Sequence, residues 1–458
     1  MKLAFVGVGG AGTRIVDRLL AREAETDRTV SRGNAIVFDT AEPGDAFRGV
    51  EHVPEECRVT FGDVHPDVGP AGTGGNPDLG VAAAREDVYE LRRAFDALEF
   101  TDVDGAVLVA GLAGGTGGGA GAVLLEELQE VCDDPVYALA VLPSADEPAG
   151  RALTAARSLQ SFVRIADNVV CFDNEAWDSE IGPLEDLESR TLSYEESVDA
   201  DAESTDDSSP AVDADADADA DSRGPSSDVA SDDPDAEDDS PPHPYETVNR
   251  AAADRLLSIL GAGELESMTI AENRIDASDV ARTLETGGVS TIGQATLELE
   301  QRQRAPDWLP VPSWLPASFR GWLTDSPEDS GPTDAARVKD LVQRAVESRL
   351  TVPCAVDSAD RTLIVLSGPP SSVSRKGFES ARHWLEGEAD TVDVMAGDEP
   401  RDAAELTATV LLSNVTEVPP VEAVQERALE ALELLEDRDG RKSTANADDA
   451  AGENEFIW

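Results

Sequence analysis

Three short glycine-rich segments carry the chemistry of this 458-residue chain. The first, Gly7-Val8-Gly9-Gly10-Ala11-Gly12, follows the apolar run Leu3–Val8 and opens a helical pattern. Glycines at such a turn let backbone N–H groups approach phosphate oxygens, and a helix N-terminus adds favourable potential. Taken alone, this GxGxxG spacing fits a dinucleotide-binding oxidoreductase equally well, because Asp39 ends the next strand-like run and could bind a ribose hydroxyl. The second segment, Ala110 to Gly121, separates the readings. Gly114, Gly115, Gly117, Gly118, Gly119 and Gly121 surround one hydroxyl, Thr116, again between a strand and a helix. Two such loops in one sheet can hold a di- or triphosphate from two sides, whereas a dinucleotide domain needs only the first. No GxxxxGK[ST] is present, so phosphate charge must be met by backbone amides, helix ends and Mg²⁺. The third segment, Gly69 to Pro77 with Gly72, Gly74, Gly75 and Asn76, would be an ordinary surface turn by itself. Beside the other two it reads as a γ-phosphate sensor.

Elements with the right rhythm surround these loops. Between residues 2 and 180, apolar runs at Leu3–Val8, Ala35–Phe38, Ala106–Ala110, Val136–Leu142 and Val169–Phe172 alternate with helical patterns such as Arg14–Arg22 and Ala120–Val131. That alternation predicts βαβ units, a parallel sheet, and ligands at the C-terminal ends of its strands. The expected organisation is a domain over 1–184, an acidic disordered insert over 185–243 and a long helix over 244–262. A loop and helix over 263–300 and a Pro/Trp-rich loop over 301–332 follow. The last units are an α+β domain over 333–436 and a disordered tail over 437–458. The α+β domain should contain strands at Leu350–Val356, Arg361–Ser367, Val392–Met395 and Ala408–Leu412, with helices at Ala335–Ser348, Arg375–Glu386 and Val421–Leu435.

Composition excludes several functions. There are 94 acidic and 36 basic residues, a formal charge of −58, and lysine occurs only at Lys2, Lys339, Lys376 and Lys442. No basic face exists to displace counterions from nucleic acid, and anionic membranes are disfavoured for the same reason. Such a surface suits a salt-rich cytosol, where the Debye length falls to roughly 3 Å near 1 M. The cysteines Cys57, Cys132, Cys171 and Cys354 are scattered, with no CxxC pair and no His/Cys cluster, so neither a disulfide framework nor a zinc site is expected. Met1–Gly7 is strand-like rather than a signal peptide, and no apolar run reaches the ~18 residues that span a bilayer.

The glycine segments also carry a resemblance. Ala113–Gly119 resembles the glycine signature of the tubulin and FtsZ superfamily, Gly72–Pro77 its third nucleotide loop, and Phe38-Asp39-Thr40-Ala41 its second. Cys171–Trp177 is similar to tubulin's sugar- and base-contacting loop, and Tyr245-x-x-x-Asn249 to the pair that grips guanine. With Val141-Leu142-Pro143, Ala155–Phe162, Leu366–Pro370 and Ser374–Gly377, these features point to the archaeal CetZ branch of tubulin-like proteins. The resemblance covers about 2–180, 244–300 and 333–430.

It implies a Rossmann-like α/β GTPase domain, a central helix and a smaller α+β C-terminal domain. GTP or GDP with Mg²⁺ would be held by Gly9, Gly10, Ala11, Gly12, Thr13 and Arg14, with Asp39 and Thr40. Gly72, Gly74, Gly75, Asn76, Gly114, Gly115, Thr116, Gly117 and Gly118 complete the phosphate side. Glu147 and Arg151 would hold the ribose and flank the base, Asn174 and Asn249 would pair with guanine or the sugar, and Tyr245 would stack on the purine. The plainer readings are a solvated helix-start pair for Glu147 and Arg151 and a helix cap for Asn174. Asp276 and Asp279 match the family's catalytic loop, which acts on the GTP of the subunit below; a helix cap at Asp276 is compatible with that role. The implied protein is a cytoplasmic GTPase that polymerises head to tail, with control of cell shape as its expected process. Its partners would be copies of itself, other tubulin-like proteins, or a membrane interface through Trp308, Trp314 and Trp322. The alternatives are a non-polymerising GTP-binding regulator or scaffold and, more distantly, an NAD-dependent oxidoreductase.

Overall fold

A computed structural model of the chain describes residues 1–26, 28–177, 245–262, 275–299, 334–369, 375–401 and 403–452. The expected acidic insert, the Pro/Trp-rich loop and Arg274 lie outside the described residues.

The glycine loops sit where the strand alternation places them. In order come β1 (Leu3–Val8), α1 (Gly9–Glu25), β2 (Ala35–Asp39), α2 (Pro43–Ala46), β3 (Arg58–Thr60), α3 (Pro77–Glu86) and α4 (Val88–Ala94). Then follow β4 (Gly105–Gly111), α5 (Gly121–Val131), β5 (Val136–Leu142), α6 (Ala149–Ile165) and β6 (Asn168–Asp173). β1, β4, β5 and β6 pair in parallel, in register from Val8↔Ala110 through Gly111↔Val141 to Leu142↔Asp173, so their C-terminal ends form one rim. β1, β5 and β6 are buried along their whole length, which is why β1, β5 and the middle of β6 (Val169–Phe172) read as continuous apolar runs rather than alternating ones. The alternation appears instead in where each side chain goes. Ala4, Val6 and Val8 join a core with α5 and α6, while Leu3 and Phe5 join a second core with Ile15 and Leu19 of α1.

That second core also contains Val248, Leu256 and Leu257 of α7 (Glu246–Leu260). α7 lies along α1, and the ion pairs Arg18–Glu246 and Arg22–Asp254 join the two helices. Beyond it come α8 (Ala277–Leu284), β7 (Val289–Glu298), α9 (Asp334–Glu347), β8 (Arg361–Gly368), α10 (Arg375–Glu388), β9 (Val394–Pro400), β10 (Glu405–Ser413) and α11 (Pro419–Gly452).

The C-terminal strands continue the sheet of the first half: β7 pairs in parallel with β6 (Val169↔Val289, Val170↔Ser290), giving one ten-stranded sheet in the order β3-β2-β1-β4-β5-β6-β7-β10-β8-β9. Two features differ from expectation. The segment 350–356 is not a strand. Thr351 donates its N–H to the Ile292 carbonyl and accepts from Asp173 N–H, but Pro353 has no N–H with which to continue a ladder. Finally, the tail expected to be disordered from 437 is helical through Gly452, as part of α11. Among the described residues no helix is long and apolar enough to cross a membrane.

Trp177 fastens the junction of the two parts. Its indole N–H donates to the Leu350 carbonyl at 3.1 Å, and the Arg255 and Arg349 guanidinium groups lie 5.2 and 5.0 Å from its ring.

Candidate functional site

The rim of the parallel sheet opens into a cavity of about 350 Å³. Its floor is the turn from β1 into α1 (Val8, Gly9, Gly10, Ala11, Arg14) and the loop from β4 into α5 (Gly111, Ala113, Gly114, Gly115, Thr116, Gly117). Gly74 and Gly75 close one end. Pro143, Glu147, Arg151, Asn174, Tyr245 and Asn249 close the other.

Four helical segments begin at this cavity without a side-chain cap: α1 at Gly9, a wide helical turn over Gly115–Ala120 that leads into α5, α6 at Ala149 and α7 at Glu246. The first two start on glycine and have no acidic residue in their first turn. By contrast α3 is capped by Asn76 and α8 by Asp276, both of whose carbonyl or carboxylate oxygens accept two backbone N–H groups. Uncapped N–H groups at two helix starts facing one cavity are a site for a polyvalent anion. The two loops touch closely enough that side chains are excluded. Gly9 has φ +72°, and a Cβ there would lie 2.9 Å from Gly117 N. Arg14 supplies positive charge and donates to the Gly10 carbonyl at 2.9 Å; burial lowers its pKa against the opposing attraction of Asp39. Arg151 lies 3.5 Å from Glu147.

The remaining expected residues support the cavity rather than line it. Gly12 packs against Val109, where a Cβ would come within 2.1 Å of its carbonyl oxygen, and Thr13 is fully buried. Asp39 turns back to accept the N–H groups of Thr40 and Ala41, and burial raises its pKa. Gly72 lets the third loop approach Thr40, whose Oγ1 a Cβ at 72 would meet at 2.5 Å. Gly118 accepts a hydrogen bond from Ser158 through its carbonyl. Asn76 spends its side chain on the α3 cap.

A threonine cluster joins the end of β2 to the third glycine loop and to the β4–α5 loop. Thr40 and Thr116 hydroxyls are 2.7 Å apart, Thr73 N–H donates to Thr40 Oγ1 at 3.2 Å, and Thr73 and Thr116 hydroxyls are 3.4 Å apart. Thr73 was missed as a site residue. It stands between Gly72 and Gly74 in a loop already singled out, but only the folded arrangement shows its hydroxyl meeting the other two.

Asp276 and Asp279 do not reach this cavity. α7 starts beside it at Tyr245 and Asn249 and ends at Leu260, whose carbonyl accepts from the Met1 ammonium at 3.0 Å. Met1 precedes β1, whose far end carries the glycine turn, so the length of β1 separates the two edges by roughly 17 Å. The Asp276 carboxylate lies on Met1's edge, close enough to feel the terminal ammonium. Its pKa is lowered, first by the Ser278 hydroxyl and then by backbone N–H donors.

Asp173 behaves differently. Burial pushes it up to about 6, against N–H donors from Glu175 and Ala176 that act to lower it. Because the folded chain holds this proton more tightly than the unfolded one, its favourable contribution is complete below 3.8 and is lost as pH rises through about 6. Asp173→Asn does not titrate. Relative to the parent it should therefore gain on the order of 2 kcal/mol between pH 4 and pH 7. Denaturant melts of both proteins at the two pH values check this; a constant difference would refute it.

Comparison with known proteins agrees with this geometry. Residues 2–182 match the Tubulin/FtsZ family GTPase domain, and residues 238–430 match the tubulin-like CetZ C-terminal domain. Tubulin-like protein CetZ3 of Haloferax volcanii is 34% identical over 451 residues, covering 98% of this chain and 97% of the relative. CetZ1 of the same organism is 32% identical, covering 95% and 94%. Among solved structures, a GDP-bound monomer of H. volcanii CetZ1 superposes with a TM-score of 0.67 at 28% identity, covering 94% of this chain and all of that one. A GTPγS-bound protofilament of H. volcanii CetZ2 gives the same TM-score and identity, covering 95% of this chain and 100% of that one. With its floor built as a tubulin-type GTPase domain and its second half matching the CetZ C-terminal domain, the chain belongs to the CetZ family of tubulin-like proteins.

Proposed function

We propose that this chain binds GTP and GDP in the cavity, assembles head to tail with copies of itself, and completes GTP hydrolysis at the interface between subunits. The observation that carries the reading is the pair of uncapped helix starts at Gly9 and Gly115 facing one cavity. Their amides would hold the phosphates. Arg14 would add charge, Glu147 and Asn174 would take the ribose, and Asn249 and Tyr245 the base. Tyr245 is 43% exposed and lines the cavity, which supports stacking of its ring on a purine.

Phosphoryl transfer of this kind rests on positioning and charge neutralisation, with little covalent work for the protein. Asp276 and Asp279, at the opposite edge from their own cavity, would orient water on the nucleotide of the next subunit. That would tie hydrolysis to assembly. Among the described residues no three His, Cys, Asp or Glu side chains converge as a metal cage, and Glu147 is the one carboxylate lining the cavity. Mg²⁺ would accordingly be held mainly by phosphate oxygens, where it neutralises charge. The GTPγS-bound protofilament of the relative CetZ2 supports the assembly step. Control of cell shape is the process proposed for the polymer.

Purified protein should retain guanine nucleotide, and at molar salt it should sediment with GTP and stay in the supernatant with GDP. Recovery of a nicotinamide cofactor would overturn the site assignment. Tight GTP binding without any sedimentable polymer would overturn assembly alone.

A further inference from the structure

The loop between β5 and α6 supplies one wall of the cavity through Pro143 and Glu147, with Arg151 following in the first turn of α6, and something must hold it in place. Its internal bonds are few. Glu147 N–H donates to the Ser144 carbonyl at 3.2 Å, and Ser144 N–H donates to the Glu147 carboxylate at 3.3 Å. From outside, Ala145 N–H donates to the Glu175 carboxylate at 2.7 Å. The strongest external hold comes from the other end of the chain. Arg427 of α11 donates through Nη1 to the Ser144 carbonyl at 3.1 Å and through Nη2 to the Glu147 carbonyl at 2.5 Å.

This placement is not what helix packing alone would select. α11 lies along α6 and buries Val424, Ala428 and Ala431 on that side. Arg427 adjoins that stripe, beside the N-terminus of α6, where the helix dipole disfavours a cation. A guanidinium stays there because its fork matches two carbonyls that the loop leaves without partners of comparable strength. The residue that feels this grip is Glu147: its backbone carbonyl is held by Arg427 while its carboxylate faces the cavity and Arg151.

We infer that Arg427 is a positioning residue for the nucleotide site, holding the β5–α6 loop so that Glu147 meets the sugar of the bound nucleotide. The C-terminal helix is thereby part of the binding apparatus without touching ligand. This rests on the cavity being a guanine nucleotide site, and the test keeps the two claims separate.

Release of radiolabelled GDP would be timed from the full-length parent, Arg427→Gln, Arg427→Lys, Glu147→Ala and the double variant Glu147→Ala/Arg427→Gln. Losing a charge-assisted pair of hydrogen bonds should speed release about tenfold in Arg427→Gln. Arg427→Lys, with one compact ammonium, should fall between it and the parent. In the Glu147→Ala background the same change should alter release by less than about twofold, because coupled residues are not additive. Unchanged release in both Arg427 variants would overturn the inference. So would an equal acceleration in both backgrounds, since a general loosening of structure does not depend on Glu147. A parent protein that retains no GDP would instead remove the site assignment itself.

Discussion

Asp276→Asn should bind GTP as tightly as the parent and lose about 100-fold in hydrolysis, the size of effect expected when one preorganised transition-state group is removed. Asparagine is the informative replacement. Asp276 caps α8, its carboxylate accepting from Ser278 and Asp279 while Asp279 returns the bond to Asp276 N–H. Alanine would remove the cap and cost about 1 kcal/mol, confusing stability with chemistry, whereas asparagine caps as well as aspartate. The lost group is then the charge. Because Asp276 sits on the Met1 edge and not at its own cavity, the defect should be repairable from outside. Subunits that cannot bind nucleotide but carry an intact Asp276 should restore turnover when mixed with Asp276→Asn subunits. Phosphate release from each protein alone and from mixtures measures this. Full turnover by Asp276→Asn alone, or no recovery in mixtures that do co-assemble, would refute action on a neighbour's nucleotide.

The subunit needed for that mixture is the second prediction. Gly117→Val should lose GTP binding by at least about 100-fold while keeping its fold. A Cβ at 117 would lie 2.5 Å from the Gly111 carbonyl oxygen and 3.3 Å from the Val8 carbonyl oxygen. Both neighbours are backbone, at the ends of β4 and β1, and cannot swing aside as a side chain would. The glycine loop must then lift away from the rim. That displaces the amides at Gly115 and Thr116 and disturbs the contact with Gly9. Overpacking of this kind costs about 1–3 kcal/mol, which a sheet buried on both faces can absorb. Gly387→Ala, in open space near the end of α10, is the matched control and should leave binding unchanged without lowering stability. Equilibrium dialysis with GTP and a thermal melt on each variant decide the matter. Wild-type affinity in Gly117→Val would mean that the loop does not carry the phosphates.

Much of the site was legible because its chemistry is local. A glycine run between an apolar strand and a helix declares a close backbone approach wherever it occurs, and all three loops lie around the cavity. The fully apolar strands announced a sheet covered on both faces, and the Tyr245–Asn249 spacing placed both residues on one face at the start of a helix. The acidic, lysine-poor composition likewise stood on counting alone.

Tertiary structure decided what depends on pairing between distant segments. That the second half continues the first half's sheet follows from β6 meeting β7, a contact that neither strand's composition encodes. Thr73 became a site residue only when three loops, far apart in sequence, brought their hydroxyls together. Asn76 and Asp39, by contrast, turned their polar groups to local backbone N–H donors, because a nearby amide competes with any ligand for a short side chain. Pro353 ended a run that otherwise looked like a strand. Arg427 joined the site from the far end of the chain, and the distance from Asp276 to its own cavity emerged from the length of β1. Local sequence specifies which groups are available and which backbone shapes are permitted. Which groups meet is set by the packing of long-range partners, and no window of sequence contains that information.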